Sequence, residues 1–430
     1  MVTQLSKYFS QGSANALMVC TGLILSGCGG STSEDTVQTD IPIVQGSDDD
    51  TVVVPELTEN DERLLALIEE LDLDNSPIAG RNLPSIDDPV AQLGKMLFFS
   101  KSLSGNKDTA CASCHHPSLA GADDLSFPIG IGATEINVLG IGRIDSDGLP
   151  SIPRNSPTVV NVGLFDRGLF WDSRVESLSA QPRQNGAIGP ISTPDSGFAI
   201  ADDNAGANLV AAQAKFPVTS VDEMKSDDFE SGSTNEEIRH HLAARIGDYE
   251  EGFGELMFTF WLEEFQRAFN RDDDAQTLIT FDNIAFALGE YQRSMVFIDS
   301  PWRQYLEGDT TALTEQQKSG AILFFSRPQD DGAGCSACHS GPKLSDEEHH
   351  LVAFPQIGSG KGNGATGDDD FGRENVTGNS DERYRFRTPS LLNISLTAPY
   401  GHAGSYQTLT DVVNHYDNPR DTALDYVRDE

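Results

Sequence analysis

The chain of 430 residues is short of positive charge. Its 29 lysines and arginines stand against 67 aspartates and glutamates, which gives a formal net charge of −38 at pH 7. Nucleic acids and anionic membrane surfaces are bound through lysine and arginine, so the composition argues against both kinds of partner. It is compatible with a cationic protein partner and with solubility in a salty habitat.

An apolar run of transmembrane length is also missing near the N-terminus. Lys7 precedes a mostly apolar stretch from Ala14 to Leu25, shorter than the roughly 20 residues of a membrane-spanning helix. The following Leu-Ser-Gly-Cys sequence, ending at Cys28, resembles the bacterial lipobox, in which the cysteine is lipidated. We interpret residues 1–28 as a lipoprotein signal peptide, with Cys28 as the lipid anchor in the periplasm. Gly29 favours the outer membrane, and an ordinary signal peptide with an incidental cysteine is the alternative.

Strand-like alternation is hardly present, whereas helical spacing recurs. Residues 29–60, rich in Ser, Thr, Asp and Gly, predict a disordered acidic tether. Beyond them the pattern predicts a mainly α chain with long loops. The predicted helices are Arg63–Leu73, Val90–Phe99, Glu236–Ile246, Tyr249–Phe269, Leu278–Ile298, Thr314–Phe325 and Leu409–Tyr416. No Walker or Rossmann signature occurs, and we interpret the glycine-rich segment Gly358–Gly362 as a flexible loop.

Cysteine is scarce, and four of the six cysteines form two identical patterns. These are Cys111-Ala-Ser-Cys114-His115 and Cys335-Ser-Ala-Cys338-His339. Two thiols at this spacing reach the two vinyl groups of one porphyrin, and the adjacent histidine ligates the iron. Disulfides, thioredoxin-like chemistry and zinc are alternatives, but none explains a histidine directly after each pair. The motifs therefore predict two covalently bound c-type haems.

A repeated sequence precedes the two motifs. Leu97-Phe98-Phe99 ends the helix before the first motif, and Leu323-Phe324-Phe325 ends the helix before the second. Such self-similarity predicts two copies of one domain type.

Histidine and methionine are nearly missing where a second axial ligand of the first haem would be expected. No histidine lies between His116 and His240, and Met224 is the only methionine in that stretch. An electron carrier has both axial sites filled, whereas a peroxidase needs one open. We therefore predict an open face at the first haem, which argues against a non-catalytic di-haem electron carrier.

A series of ordered motifs resembles the bacterial di-haem cytochrome c peroxidase family, which includes the MauG type. Besides the two haem motifs, the matching segments are Leu93–Phe99, Arg154–Thr158, Phe170–Arg174, Phe216–Pro217, Glu223–Met224, Arg387–Leu391 and Leu396–Gly404. The resemblance implies two cytochrome c-like haem domains with long loops, and haems that flank the domain interface. It implies an N-terminal domain at 61–300, with the peroxidatic haem and a helical insertion. The C-terminal domain at 301–430 would hold the electron-transfer haem.

The resemblance also implies roles for residues around the first haem. The family's distal pocket holds a glutamine, a proline and a glutamate, and Gln213, Pro217 and Glu223 match that pattern. Glu223 would move a proton between the peroxide oxygens, and Gln213 would hydrogen-bond the peroxide. Gln181 is a rival for the glutamine role. Trp171 corresponds to a tryptophan that relays electrons between the haems, and a packed core tryptophan is the alternative.

Two further ligand sets follow from the resemblance. Asn155, with the backbone carbonyls of Thr397 and Pro399, corresponds to a calcium site between the haems. The distal ligand of the second haem falls on Tyr416, since no methionine lies in this part of the chain. A slip of one residue would make His415 the ligand instead.

The activity implied by the resemblance is the reduction of hydrogen peroxide to water. The electrons would come from a small cytochrome c or cupredoxin and enter through the second haem. The alternative is a MauG-like enzyme that oxidises side chains of a partner protein. Such members carry a tryptophan just before the second motif, where this chain has Gly332-Ala333-Gly334. A homodimer is compatible with the family, and membrane contact is expected only through the lipid anchor.

Overall fold

The computed structural model describes residues 56–148, 150 and 152–426. The predicted signal peptide, the lipid anchor Cys28 and the tether up to residue 55 lie outside the described residues. Residues 59 and 60, the end of the predicted tether, already belong to a helix. In the described part of the chain, no helix combines the length and the apolar character that crossing a bilayer requires.

Helices dominate the regular structure, and sheet is confined to short strands. The helices are α1 (Glu59–Glu70), α2 (Pro89–Phe98), α3 (Cys111–Cys114), α4 (Leu209–Gln213), α5 (Asn235–Gly247), α6 (Trp261–Phe269), α7 (Ala275–Leu278), α8 (Phe281–Ser294), α9 (Pro301–Leu306), α10 (Glu315–Phe325), α11 (Glu374–Thr377), α12 (Leu409–Asp417) and α13 (Pro419–Leu424). The strands β1 (Gly168–Leu169), β2 (Val175–Ser177) and β3 (Ile191–Ser192) form one antiparallel sheet, and β4 (His349–His350) pairs with β5 (Phe386–Arg387). The predicted mainly α character with long loops is confirmed.

Helix α10 begins with a capping box, as its sequence predicts. The Gln317 amide donates to the Thr314 hydroxyl at 3.3 Å, and the Thr314 amide donates to the Gln317 side chain at 2.9 Å. This pairing satisfies two of the amides that the first turn leaves without a partner. It places the start of the helix that leads to the second haem motif.

The main core forms where α2 packs on α8. Gly94 permits the close approach, because a Cβ there would lie 1.8 Å from the Ala287 carbonyl oxygen. Next to it, the buried Phe98 ring meets the Tyr291 ring edge-on, with 5.1 Å between centroids. Core packing of this density anchors α2, and with it the segment that runs on to Cys111.

Helix α1 packs against the C-terminal part of the chain. Its Leu64 and Ile68 share a buried cluster with Tyr305, Ile322 and Phe325 of α9 and α10. We predicted residues 61–300 as the N-terminal domain, but the buried residues of α1 belong to this cluster and not to the main core. Periodicity indicates which face of a helix is buried, whereas its partner depends on the tertiary fold. The domain division stays a prediction.

The predicted helix Tyr249–Phe269 is wrong over its first half. The chain forms a 3₁₀ turn at Glu250–Gly252 and becomes α-helical only from Trp261. Glycines at 252 and 254 disfavour a helix in this stretch. Two apolar residues of this stretch, Phe253 and Phe258, are 73% and 80% exposed.

A buried ion cluster joins distant segments of the chain. Arg154 donates to Asp172 at 2.6 Å and to both carboxylate oxygens of Asp370 at 2.5 and 2.8 Å. Burial by itself would raise the pKa of Asp172, but the Arg154 charge holds that pKa well below its usual range. The cluster ties the loop before β1 to the loop that follows β4, and so fixes the walls of the site described next.

Candidate active site

One cavity of about 1740 Å³ is lined by both Cys-x-x-Cys-His motifs. A pocket for a single drug-sized ligand has about 300–1,000 Å³, so this cavity has room for more than one large group. Other residues that the sequence nominated for chemistry line the same cavity. These are Gln213, Glu223, Trp171, Tyr416, Asn155, Thr397 and Pro399. The tertiary fold therefore brings together residues from widely separated segments.

The first motif surrounds His115 with buried structure. Helix α3 spans Cys111–Cys114, and its two middle residues, Ala112 and Ser113, are buried. The His115 Nδ1–H donates to the Gly121 carbonyl at 3.2 Å, so Nε2 keeps the lone pair that a metal ligand needs. Burial lowers the pKa of His115 to about 4, which keeps the imidazole neutral and able to ligate.

The second motif repeats this histidine geometry nearer the surface. The His339 Nδ1–H donates to the Leu344 carbonyl at 3.0 Å, which again leaves Nε2 for a metal. Burial lowers the pKa of His339 as well. Between its two cysteines, Ser336 is half-buried and Ala337 is exposed. The second site is therefore the more accessible of the two.

The residues present fit two covalently attached haems. The four motif cysteines are not paired in disulfides. Arg387 is buried in the cavity wall, where it donates to the carbonyls of Phe170 and Thr388 but to no carboxylate among the described residues. Burial lowers the pKa of Arg387 to about 10, although the nearby charges of Glu347 and Asp172 act in the opposite direction. A haem propionate in the cavity would give this buried cation a carboxylate to donate to.

Glu223 lies on a single π-helical turn, Val221–Lys225. Its backbone is held against Gly130, where a Cβ would lie 2.3 Å from the Glu223 carbonyl oxygen. Single π turns are rare, and they occur frequently at functional sites. The turn presents the Glu223 side chain to the cavity.

The surroundings of Glu223 favour proton transfer. Burial raises the pKa of the carboxyl group, while Arg174 and Lys361 act in the opposite direction. Glu223 and Cys114 of the first motif line the same cavity. Burial raises the pKa of the Cys114 thiol, and the charge of Glu223 acts in the same direction. A carboxyl group with a raised pKa can give and take a proton closer to neutral pH.

The two candidate glutamines occupy different environments. Gln213 is the last residue of α4, is half-buried and lines the cavity. Helix α4 is capped by Asn208, whose side chain accepts from the Ala211 amide at 2.9 Å. Gln181 is exposed and is not among the cavity-lining residues. This placement supports Gln213 for the peroxide-binding role.

Trp171 is tied to the backbone of the cavity wall. Its Nε1–H donates to the Asn155 backbone carbonyl at 2.9 Å, and the Asn155 backbone N–H donates to the His402 backbone carbonyl at 2.8 Å. The His402 ring stacks on Phe386, with 3.8 Å between centroids. An indole held in this way has a fixed orientation inside the cavity, as a relay would need.

The donor set at Asn155 fits a hard cation. The Asn155 Nδ2 donates to the Leu125 carbonyl at 2.8 Å, which leaves the amide oxygen to act as a ligand. Thr397 and Pro399, whose carbonyls were predicted as the other ligands, line the same cavity. Neutral oxygen donors of this kind suit Ca²⁺.

Tyr416 and His415 are placed differently, although they are neighbours on α12. Tyr416 lines the cavity, and burial and the two cysteines of the second motif raise its pKa to about 12. His415 is fully buried, with Nε2–H donating to the Val352 carbonyl at 2.7 Å and Nδ1 accepting from the Tyr406 hydroxyl at 3.0 Å. Both ring nitrogens of His415 are engaged, so the geometry supports Tyr416 as the ligand.

Sequence reasoning missed Lys361. We interpreted Gly358–Gly362 as a flexible loop, but the Lys361 amide donates to the Asp369 carbonyl at 2.8 Å and its side chain lines the cavity. Burial lowers the pKa of Lys361, as do the nearby charges of Arg154 and Arg174. No motif spacing marks such a residue. The only available signal was a cation among glycines in a strongly acidic chain.

Known proteins are similar to this chain over most of its length. A family model described as di-haem cytochrome c peroxidase matches residues 88–311. The cytochrome c551 peroxidase of Pseudomonas aeruginosa is 30% identical over 334 residues, covering 76% of this chain and 71% of that protein. The methylamine utilization protein MauG of Methylorubrum extorquens is 28% identical over 327 residues, covering 75% of this chain and 67% of that protein.

A solved structure shows the same fold. The crystal structure of a MauG-like protein associated with microbial copper homeostasis has a TM-score of 0.51 and 25% identity to this chain, and the match covers 77% of this chain and 79% of that one. The chain therefore belongs to the di-haem cytochrome c peroxidase family, in which two c-type haems are implied by the two Cys-x-x-Cys-His motifs.

Proposed function

We propose that the protein reduces hydrogen peroxide to water at the first haem site and receives electrons through the second. The observation that carries the proposal is one cavity that is lined by both motifs and by Glu223. A relative at 30% identity that is named a peroxidase supports an oxidoreductase of this class. Each peroxide consumes two electrons and two protons, and two water molecules leave.

The residues of the first site have separate tasks. A haem held by Cys111, Cys114 and His115 would supply an iron that can accept peroxide on its open face. Glu223 takes the proton from one peroxide oxygen and returns it to the other, so that the leaving group departs as water. Gln213 donates a hydrogen bond that orients the substrate. Burial raises the pKa of the Glu223 carboxyl group, which favours its taking and returning the proton.

The second site receives and transmits electrons. His339 and Tyr416 would ligate its iron, and a phenolate ligand would lower the reduction potential relative to methionine. Trp171 lies in the wall of the shared cavity and relays electrons toward the first site. Ca²⁺ bound by Asn155, Thr397 and Pro399 would hold the segments between the two sites together.

The partner and location follow from charge and from the N-terminal sequence. A net charge of −38 favours a donor with a cationic face, and a small cytochrome c or cupredoxin fits. Lipidation of Cys28 would attach the protein to the periplasmic side of the outer membrane. The proposals of a cationic donor and of a lipid anchor at Cys28 both rest on the sequence.

The spectrum and the turnover of the isolated protein test the proposal together. We expect two covalently bound haems per chain, and a high-spin ferric EPR signal from the first site. We also expect peroxide consumption with reduced cytochrome c as the donor. Two low-spin irons in every redox state would contradict the proposal, and so would the absence of turnover with cytochrome c and cupredoxin donors alike.

A further inference from the structure

A buried tyrosine–histidine pair lies behind the proposed ligand of the second haem. Tyr406 is 6% exposed and His415 is 0% exposed. The two rings are joined by the 3.0 Å hydrogen bond between the Tyr406 hydroxyl and His415 Nδ1. On the far side, His415 Nε2 faces the Val352 carbonyl at 2.7 Å. A carbonyl can only accept, so Nε2 carries the hydrogen and Nδ1 must accept from Tyr406.

Ring contacts connect this pair to the cavity. The Phe354 ring lies 5.4 Å from Tyr406 and 5.9 Å from Tyr416, measured between centroids. The His415 ring is also 5.9 Å from Tyr416. Phe354 and Tyr416 both line the cavity that contains the second motif. On the other side, the Tyr426 ring lies 5.6 Å from Tyr406. The rings therefore form a continuous path that leads away from the second haem site.

We propose that Tyr406 is a redox-active residue that is oxidised by one electron when peroxide has reacted and no donor is bound. The proposal rests on the peroxidase function and adds a participant to it. Reduction of one peroxide takes two electrons, of which a haem iron would supply one and Tyr406 the other, by way of the second haem site. When Tyr406 loses its electron, the phenolic O–H bond breaks and the proton moves to His415 Nδ1. A neutral tyrosyl radical and a protonated His415 result. An electron from the donor later restores Tyr406, and the proton returns to its oxygen.

The proton acceptor is what makes Tyr406 suitable. Oxidation of a buried phenol that kept its proton would leave a positive charge in a dry site, which is costly. Burial raises the pKa of Tyr406 to about 12, so the proton cannot be lost to solvent beforehand. The hydrogen bond to His415 avoids a positive charge on the phenol, because the proton can move along that bond from the Tyr406 oxygen to His415 Nδ1.

Tyr305 provides a matched comparison within the same chain. It is 1% exposed, and its hydroxyl donates to Asp61 at 2.8 Å. Asp61 also accepts a hydrogen bond from Lys318 at 2.9 Å. Burial raises the pKa of Asp61, but the hydrogen bond from Lys318 helps to hold that pKa well below its usual range. Such a carboxylate is a poor acceptor for the phenolic proton, so we expect Tyr305 to stay reduced.

Freeze-quench EPR of the full-length protein with both haems tests this inference. The ferric protein is mixed with one equivalent of hydrogen peroxide in the absence of donor. We expect a tyrosyl radical in the wild type and in Tyr305→Phe, and its loss in Tyr406→Phe. A radical that persists in Tyr406→Phe while peroxide is consumed would overturn the inference. Absence of peroxide consumption in the wild type would instead contradict the peroxidase function.

A second measurement does not depend on how the variants fold. In wild-type protein grown with nitrogen-15 histidine, a radical on Tyr406 should show a magnetic coupling to the His415 nitrogen through the hydrogen bond. Tyr305 has no histidine partner among the described residues, and its radical would lack this coupling. A tyrosyl radical without histidine coupling would overturn the inference.

Discussion

The two haem motifs have the same spacing and nearly the same residues, but different surroundings. In the first motif, Ala112 and Ser113 are buried, whereas in the second Ser336 is half-buried and Ala337 is exposed. The hydrogen bonds that orient the two motif histidines are alike. The walls of each site, rather than the attachment motif, therefore make the first site the more enclosed and the second the more accessible, as the proposed roles in peroxide reduction and electron entry would need.

Loss of the carboxyl group at the first site should have the largest effect. We expect Glu223→Gln to reduce peroxide turnover by about 10²–10⁴-fold, because a positioned acid/base contributes that much. Asp222→Asn changes the exposed neighbouring carboxylate and serves as the control. Steady-state kinetics with reduced cytochrome c measures the difference. Equal rates for both variants would remove Glu223 from the proton-transfer role.

The second-largest effect is expected from the ion cluster that fixes the cavity walls, and it concerns the free energy of unfolding. Arg154→Ala leaves Asp172 and Asp370 buried and unpaired, which should cost about 3–5 kcal/mol in the free energy of unfolding. Arg327→Ala is the matched control, because its pair with Asp330 is 63% and 51% exposed and is worth about 0–1 kcal/mol. Urea unfolding of the holoprotein measures both values. A similar loss of stability in the two variants would show that burial does not make the Arg154 ion pairs more important for folding than the exposed Arg327 pair.

The same cluster predicts how stability depends on pH. Asp172 and Asp370 have folded-state pKa values below the usual range, so the unfolded chain binds protons first as the pH falls. Their contribution is present above the ordinary carboxyl pKa of about 3.9 and is lost in acid below it. Thermal unfolding between about pH 6 and pH 3 should show a flatter dependence in Asp370→Asn than in the wild type. An unchanged slope would mean that these carboxylates do not control acid stability.

At the second site, Tyr416→Met should raise the reduction potential and change the spectrum of one haem only. The reason is that a thioether stabilises the reduced iron better than a phenolate does. Redox titration followed by visible absorption measures the change, and the first haem provides the internal control. If His415 were the ligand, the variant would leave both spectra as they are.

The smallest expected effect is that of ionic strength on turnover. It should also distinguish electron entry at the second site from the reaction with peroxide at the first. Turnover limited by a cationic donor should fall with rising ionic strength, since the chain carries a net charge of −38. The single-turnover reaction with peroxide alone should not change, because peroxide is uncharged. Stopped-flow measurements with and without donor compare the two steps. Equal salt dependence in both would argue against electrostatic recognition of the donor.

Local patterns predicted much of the fold and part of the site. Helices α2, α10 and α12 and the capping box at Thr314 follow from apolar spacing and end signals over a few residues. Gln213 and Glu223 could be nominated because they lie at family spacing in one segment. The first half of the predicted helix at 249–269 failed because apolar periodicity does not guarantee a partner surface. Lys361 and Arg387 could not be found, since their importance arises only where the cavity closes around them.

The sequence by itself determined that this protein attaches two haems, because thioether attachment and proximal ligation need only residues within one turn of the chain. Tertiary structure alone decided that the two sites share a cavity, that α1 joins the C-terminal helices, and that Tyr406 meets His415. Burial and hydrogen-bond partners are set by segments far apart in the chain, and they determine pKa values, accessibility and the routes open to protons and electrons.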